Sequence, residues 1–333
     1  MVRQDKKTYG GLLMAKENLD DNKLENEIDG NKEMIGLVLS GGGGKGAYQA
    51  GVLKALAEAG VLKDVTAISG ASIGAVNAVI YAMGHPELLE KIWDDIDMDV
   101  VFDFDLKMLK ENRPFFSRDE MNRLFDTYID QKVIKKSPYD IYFSMTDITE
   151  EPYKVKYIKV DNASEENLKK YLMASTALPV IYEPILINDR KYRDGGICDN
   201  NPIEPLYKKG IRKFIIISLN HGKTVDTSAY TDAEFTKISP SHDLGDLLTG
   251  TLNFLDDDKK IKFLLGVKDG ERALKTKFEK DPVYIEMEKT IALNDYNFII
   301  NTYNQEKKMN ELSKSVSDNL DYFNKIADKC KDI

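Results

Sequence analysis

Apolar positions along this chain follow two rhythms. Short unbroken runs at Met34 to Ser40, Val65 to Ser69, Ile141 to Met145, Val155 to Val160 and Lys213 to Leu219 have the length and β-branched content of strands. The last of these, KFIIISL, is continuous enough to be buried on both faces of a parallel sheet. Between the runs apolar residues recur at helical spacing: Ala47, Gly51, Val52, Ala55, Leu56 and Ala59 with Gly60 as a stop, then Val76, Val79, Ile80 and Met83. Leu88, Leu89, Ile92, Trp93 and Ile96 mark a third helix, and Ser117 with Glu120 reads as a capping box for a fourth carrying Met121, Leu124, Phe125 and Tyr128. A helix from about Ser164 precedes a hairpin of Pro184 to Ile187 and Lys191 to Arg193 across Asn188-Asp189. Such alternation predicts an α/β domain of three layers with a mostly parallel central sheet, its site at the carboxyl ends of the strands.

Three segments depart from that rhythm. Residues 1–32 are polar and read as an extension, 33–220 hold the alternating pattern, and 221–333 form a C-terminal helical region expected to pack on it. His221 to His242 reads as a polar linker or surface loop. Leu244 to Phe254 and Ile261 to Leu265 give helical runs, and Met309 to Ile326 one long amphipathic helix. The aromatic-rich excursion over 97–116 fits a lid, an acyl-chain pocket or ordinary packing under a loop.

Charge and cysteine usage narrow the partners. A net charge of −9 over 333 residues, with no basic stripe, excludes nucleic acid and whole-molecule attraction to anionic lipid, so any peripheral membrane contact must be local and apolar. No run reaches the ~18 apolar residues of a spanning helix, and Met1 to Asn31 lacks the apolar core of a secretory signal. Cys198 and Cys330 have no metal or redox spacing and fit a reducing, cytoplasmic setting; neither a metal nor a cofactor is expected.

Candidate chemistry centres on Gly70-Ala71-Ser72-Ile73-Gly74, a G-x-S-x-G between a strand and a helix. A turn that tight holds Ser72 out at a helix N-terminus, where free N–H groups favour developing negative charge, although a helix-capping serine would read alike. Upstream, Gly41, Gly42, Gly43, Gly44, Lys45 and Gly46 also join strand to helix. Glycines there let N–H groups converge on an anion, which suits a phosphate loop, a dinucleotide fingerprint or an oxyanion hole. Lys45 precedes Gly46 and Ala47, against a Walker A loop, and no acid ends the second strand, against a dinucleotide site. Ser72 one strand later favours the oxyanion hole. The base that serine needs is sought among His85, His221 and His242, none in a motif-like setting, and Asp194, which ends a strand before Gly195 and Gly196. His221 and His242 follow Asp194 in the chain order of a Ser-His-Asp esterase.

The ordered set SGGGGKGAYQAGVLKAL, GASIGAVNA, ASTALP and DGG resembles the patatin-like phospholipases from about Met34 to Leu219, and it continues through ISPSHDLGDLLTGTLNF as in bacterial members. The resemblance implies a patatin-like α/β fold, a Ser72-Asp194 dyad, oxyanion donors from Gly41 to Gly46 with Lys45 where the family carries Arg or Lys, and a lipid or phospholipid acyl ester as substrate. Gly44 replaces a more varied residue, and residues 1–32 match nothing in the family pattern.

Overall fold

The computed structural model describes residues 34–84, 86–96, 103–104, 116–179, 181–275 and 282–330. The expected extension over 1–32, His85 and most of the 97–116 excursion lie outside the described residues.

The continuous apolar runs become the middle of the sheet. β1 (Ile35–Leu39) crosses through α1 (Gly46–Glu58) to β2 (Val65–Ala71), and one residue, Ser72, separates β2 from α2 (Ile73–Ala82). After α3 (Pro86–Asp95), a two-residue ladder pairs β3 (Asp103–Phe104) with β4 (Phe116–Ser117). Then come α4 (Asp119–Tyr128), the single turn α5 (Gln131–Ile134), β5 (Asp140–Asp147), β6 (Lys154–Lys159) and α6 (Glu165–Ser175). The hairpin of β7 (Ile185–Ile187) and β8 (Arg190–Asp194) turns on Asn188 and Asp189, both at positive φ as a two-residue turn of the primed type demands. α7 (Glu204–Lys208), β9 (Lys213–Ile217), β10 (Glu234–Ile238), α8 (Asp256–Ala273) and the long α9 (Pro282–Cys330) complete the chain.

The sheet order is β10-β9-β1-β2-β5-β8-β7, with β6 also on β5. Pairing is parallel from β10 to β5 and antiparallel where β6, β7 and β8 join, so the central sheet is mixed and mostly parallel. Period-two alternation divides the apolar side chains between its faces. Leu37, Leu39 and Ile68 join the main core with α1 and α2, whereas Val38, Ala67 and Ile216 pack with Ile203, Leu206 and Ile211.

Register places the site. Ala71 of β2 lies opposite Ser144 of β5, and Met145 of β5 lies opposite Asp194 of β8. Ser72 and Asp194 therefore finish at one level of the sheet with only β5 between them. β8 reaches that level running antiparallel to β5.

Several local expectations need correction. The polar stretch His221 to His242 holds a strand, β10, which extends the sheet past residue 220. Leu247 and Leu248 are 60% and 71% exposed, so the apolar run there is a π-helical turn over Leu247–Thr251 rather than a buried helix face. The N-cap of α4 is Arg118, which makes no side-chain cap; the expected box began one residue too early. α8 packs along α1, with Lys54 Nζ of α1 5.6 Å over the Phe263 ring.

Candidate active site

Ser72 has φ 52° and ψ −124°, the strained strand-to-helix turn expected of the G-x-S-x-G segment. The neighbouring glycines make this conformation possible by removing bulk. A Cβ on Gly74 would stand 2.2 Å from the Leu39 carbonyl oxygen, and one on Gly70 would stand 2.3 Å from that of Gly74. A second device pins the turn from below: the Ser72 N–H donates to Ser175 Oγ (3.1 Å), and that hydroxyl donates to the Ser144 carbonyl (2.8 Å). Ser175 belongs to the ASTALP stretch at the end of α6, and only the fold reveals its position under the serine.

Ser72 Oγ donates to Asp194 Oδ2 at 2.6 Å. The other carboxylate oxygen accepts the Gly196 N–H (2.8 Å), so the Asp-Gly-Gly turn fixes the carboxylate plane. The Asp194 main chain is held as firmly, its N–H donating to Ala177 O (3.0 Å) and its carbonyl accepting Thr146 Oγ1 (2.8 Å). Ser72 and Asp194 are 5% and 3% exposed. Burial pushes the Asp194 carboxyl up from 3.8 to about 6, against the downward pulls of the Ser72 hydroxyl, the Gly196 N–H and the Arg118 charge.

The glycine-rich loop lies against this pair. A Cβ on Gly41 would come within 3.0 Å of Ser72 Cβ, and Gly43, at φ 56°, lines the same cavity as Ser72. Lys45 N–H donates back to Gly42 O (3.2 Å), closing the turn. Asn200 Nδ2 ties the Gly41 carbonyl to the segment after Gly195-Gly196 (3.3 Å). The loop is clamped from outside, because Cβ atoms on Gly43 and Gly44 would strike the Thr251 and Asn253 carbonyl oxygens. The Lys45 side chain runs beside Gly250 into the field of Asp243 and Asp246, and burial still lowers its pKa. It does not line the cavity at Ser72.

That cavity is apolar, bounded by Ile73, Val76, Ile96, Leu124, Phe125 and Phe254, with Thr176, Thr251 and Tyr182 contributing the few polar atoms. Such walls suit a hydrocarbon chain and offer a phosphate no counter-charge. His221 Nδ1 is engaged by Pro240 O (2.8 Å), and His242 stacks on Tyr296 with ring centres 4.2 Å apart. Neither bonds Ser72 or Asp194, whose partners are given above. Among the described residues no group of three or more His, Cys, Asp or Glu is placed to hold a metal, and no helix is long and apolar enough to cross a membrane.

A family model described as patatin-like phospholipase matches residues 37–207, just over half of the chain. The chain belongs to the patatin-like phospholipase family. Among curated relatives, a lysophospholipase NTE1 of Cryptococcus neoformans is 29% identical over 209 residues, 59% of this chain and 12% of the relative. The neuropathy target esterase sws of Drosophila melanogaster is 40% identical over 75 residues, 22% of this chain and 5% of the relative. This patatin-like chain thus spans about an eighth or less of the length of these relatives. Among solved structures, VipD from Legionella pneumophila superimposes with a TM-score of 0.43 at 15% identity, over 73% of this chain and 67% of VipD. Human GIVD cytosolic phospholipase A2 gives 0.41 at 12% identity, over 80% and 60%. Likeness at that level bears no weight for function.

Proposed function

We propose that this chain is a lipid acyl-ester hydrolase of the phospholipase A or esterase type, with Ser72 as nucleophile and Asp194 as base. The observation that carries the reading is the buried 2.6 Å hydrogen bond from a strained serine to a carboxylate at the wall of an apolar cavity. A carboxyl pushed up to about 6 is ionised at neutral pH yet basic enough to accept a proton in the transition state. The family and the named activities of the relatives supply the ester-hydrolase class.

In the acylation step Ser72 Oγ bonds to the ester carbonyl carbon as its proton passes to Asp194 Oδ2. The carbonyl electron pair moves onto oxygen, where Gly42 and Gly43 N–H groups receive it; such donors are typically worth about 3 kcal/mol each. Neither N–H donates to a main-chain carbonyl among the described residues. Collapse expels the alcohol oxygen, which takes the proton from Asp194. Water then yields a proton to Asp194 and attacks the acyl-serine, releasing the fatty acid and returning the proton to Ser72 Oγ. The acyl chain occupies the apolar cavity, and the enzyme meets its substrate at the surface of a lipid aggregate.

The test is labelling by a long-chain fluorophosphonate, with hydrolysis of short- and long-chain p-nitrophenyl esters, on wild type, Ser72→Ala and Asp194→Asn. Wild type should label and turn over while both variants fail with unchanged circular dichroism. Turnover by Ser72→Ala would remove the serine from the mechanism.

A further inference from the structure

Arg118 stands at the N-cap of α4 with its charge turned inward. Its Nη1 donates to Met173 O and its Nη2 to Thr176 Oγ1, with Met121 Sδ at 3.0 Å from Nη2. The guanidinium carbon lies 4.4 Å from the centre of the Tyr182 ring, and Nε is buried without a partner. Among the described residues no carboxylate reaches ion-pair distance of it. Holding a guanidinium out of water on a carbonyl, a hydroxyl and a ring is expensive, and burial lowers its pKa to about 10.

The carboxylate whose charge acts on Arg118 is Asp194. The connection is short in the fold, since Thr176 precedes Ala177, whose carbonyl accepts the Asp194 N–H. Among the described residues the other elements bring no competing charge. On β8 itself Arg193 turns away to donate to Tyr182 O (2.9 Å). From β5 come Met145 and the Thr146 hydroxyl, from the end of α6 Ser175 and Thr176, and from the elbow Ser72. The Tyr182 phenol, pushed up to about 12 by burial, is neutral through the working range.

We propose that Arg118 is an electrostatic positioning residue for Asp194: its buried charge keeps that carboxylate ionised in apolar surroundings, and its bonds to Met173 and Thr176 hold the charge in place. The inference rests on the reading of Asp194 as base. An opposite charge near a buried carboxylate lowers its pKa by about one unit or more. Removing Arg118 therefore raises the pH at which the enzyme becomes active and leaves its alkaline activity in place.

The experiment is the pH dependence, from 5 to 9, of fluorophosphonate labelling rate and of kcat/KM for a p-nitrophenyl ester in wild type, Arg118→Met, Arg118→Gln and Arg118→Lys. Both neutral variants should shift the acid limb up by about one unit, labelling about fivefold slower at pH 6 and within twofold of wild type at pH 8.5. The lysine variant should stay near the wild-type limb. A merely structural role would lower the whole profile and leave the limb where it was, and that result in either folded neutral variant overturns the proposal. Should both fail to fold, Thr176→Val, which frees one arm of the guanidinium, must give a smaller shift in the same direction, and an unmoved limb there also overturns it. If Asp194→Asn labels like wild type, the base assignment itself has failed, whatever Arg118 does.

Discussion

Replacing the proposed base should make the protein more stable, and by an amount that depends on pH. The Asp194 carboxyl ionises at 3.8 in ordinary surroundings and at about 6 in the fold, so the native state resists its ionisation. Below 3.8 the group is protonated in both states and costs nothing. The destabilisation grows as pH rises through the window from 3.8 to 6 and is complete above it. A gap of about two units corresponds to about 3 kcal/mol at pH 8 and to about 1.6 kcal/mol at pH 5. Asp194→Asn removes the ionisation. Its amide oxygen can keep the Gly196 N–H while its NH2 donates to Ser72 Oγ, so no buried partner is stranded. The pull of Arg118 is already contained in the value of about 6, so the stability advantage of Asp194→Asn is about 1.4 kcal/mol larger at pH 8 than at pH 5. Urea denaturation of wild type and variant at both pH values reads it directly, provided m stays constant. An advantage equal at pH 5 and pH 8 would mean that the carboxyl is not held near 6, and the case for Asp194 as a neutral-pH base would lose its physical ground.

Other consequences can be measured separately. Ser175→Ala strands the buried Ser72 N–H and Ser144 carbonyl, so urea denaturation should show a loss of about 2–4 kcal/mol, and labelling of Ser72 should slow at least tenfold; wild-type stability would dismiss the pin under the elbow. His221→Ala and His242→Ala should each keep turnover within about twofold of wild type, and a folded variant inactive in the ester assay would restore a histidine-based mechanism. Val76→Phe, which puts a ring into the cavity, should cut kcat/KM for a long-chain p-nitrophenyl ester at least tenfold while sparing the acetate ester; equal losses on both would place the acyl chain elsewhere.

What the sequence exposes and what it hides follow a physical division. The glycines around Ser72 are legible because the demand on them is local: carbonyls within a few residues, or on the adjacent strand, leave no room for a Cβ. The runs IGLVL and KFIII are legible because a strand in the middle of a parallel sheet must be apolar on both faces. β10 lies at the sheet edge, and in its EFTKI only Phe235 and Ile238 turn away from solvent, so its composition matches that of a loop. Leu247 and Leu248 mislead in the opposite direction, their spacing suggesting a helix face where the backbone makes a wide turn to deliver Thr251 and Phe254 to the cavity.

Arg118 is the hardest of these to read, and the reason bears on how such a site is built. An arginine one residue before a helix, flanked by serine and acids, has every mark of a solvated N-terminus, and no local pattern separates it from one. Its proposed role depends on α6 ending where it does, with Met173 O and Thr176 Oγ1 turned toward α4, and on β8 bringing the Asp194 N–H to the carbonyl of Ala177, the residue after Thr176. The proposed nucleophile and its loop come from the regular parallel part of the sheet. The carboxylate and the charge that supports it come from where that regularity breaks. A change that keeps every short motif intact but shifts the β5-β8 register by two residues would preserve the elbow and lose the proposed base.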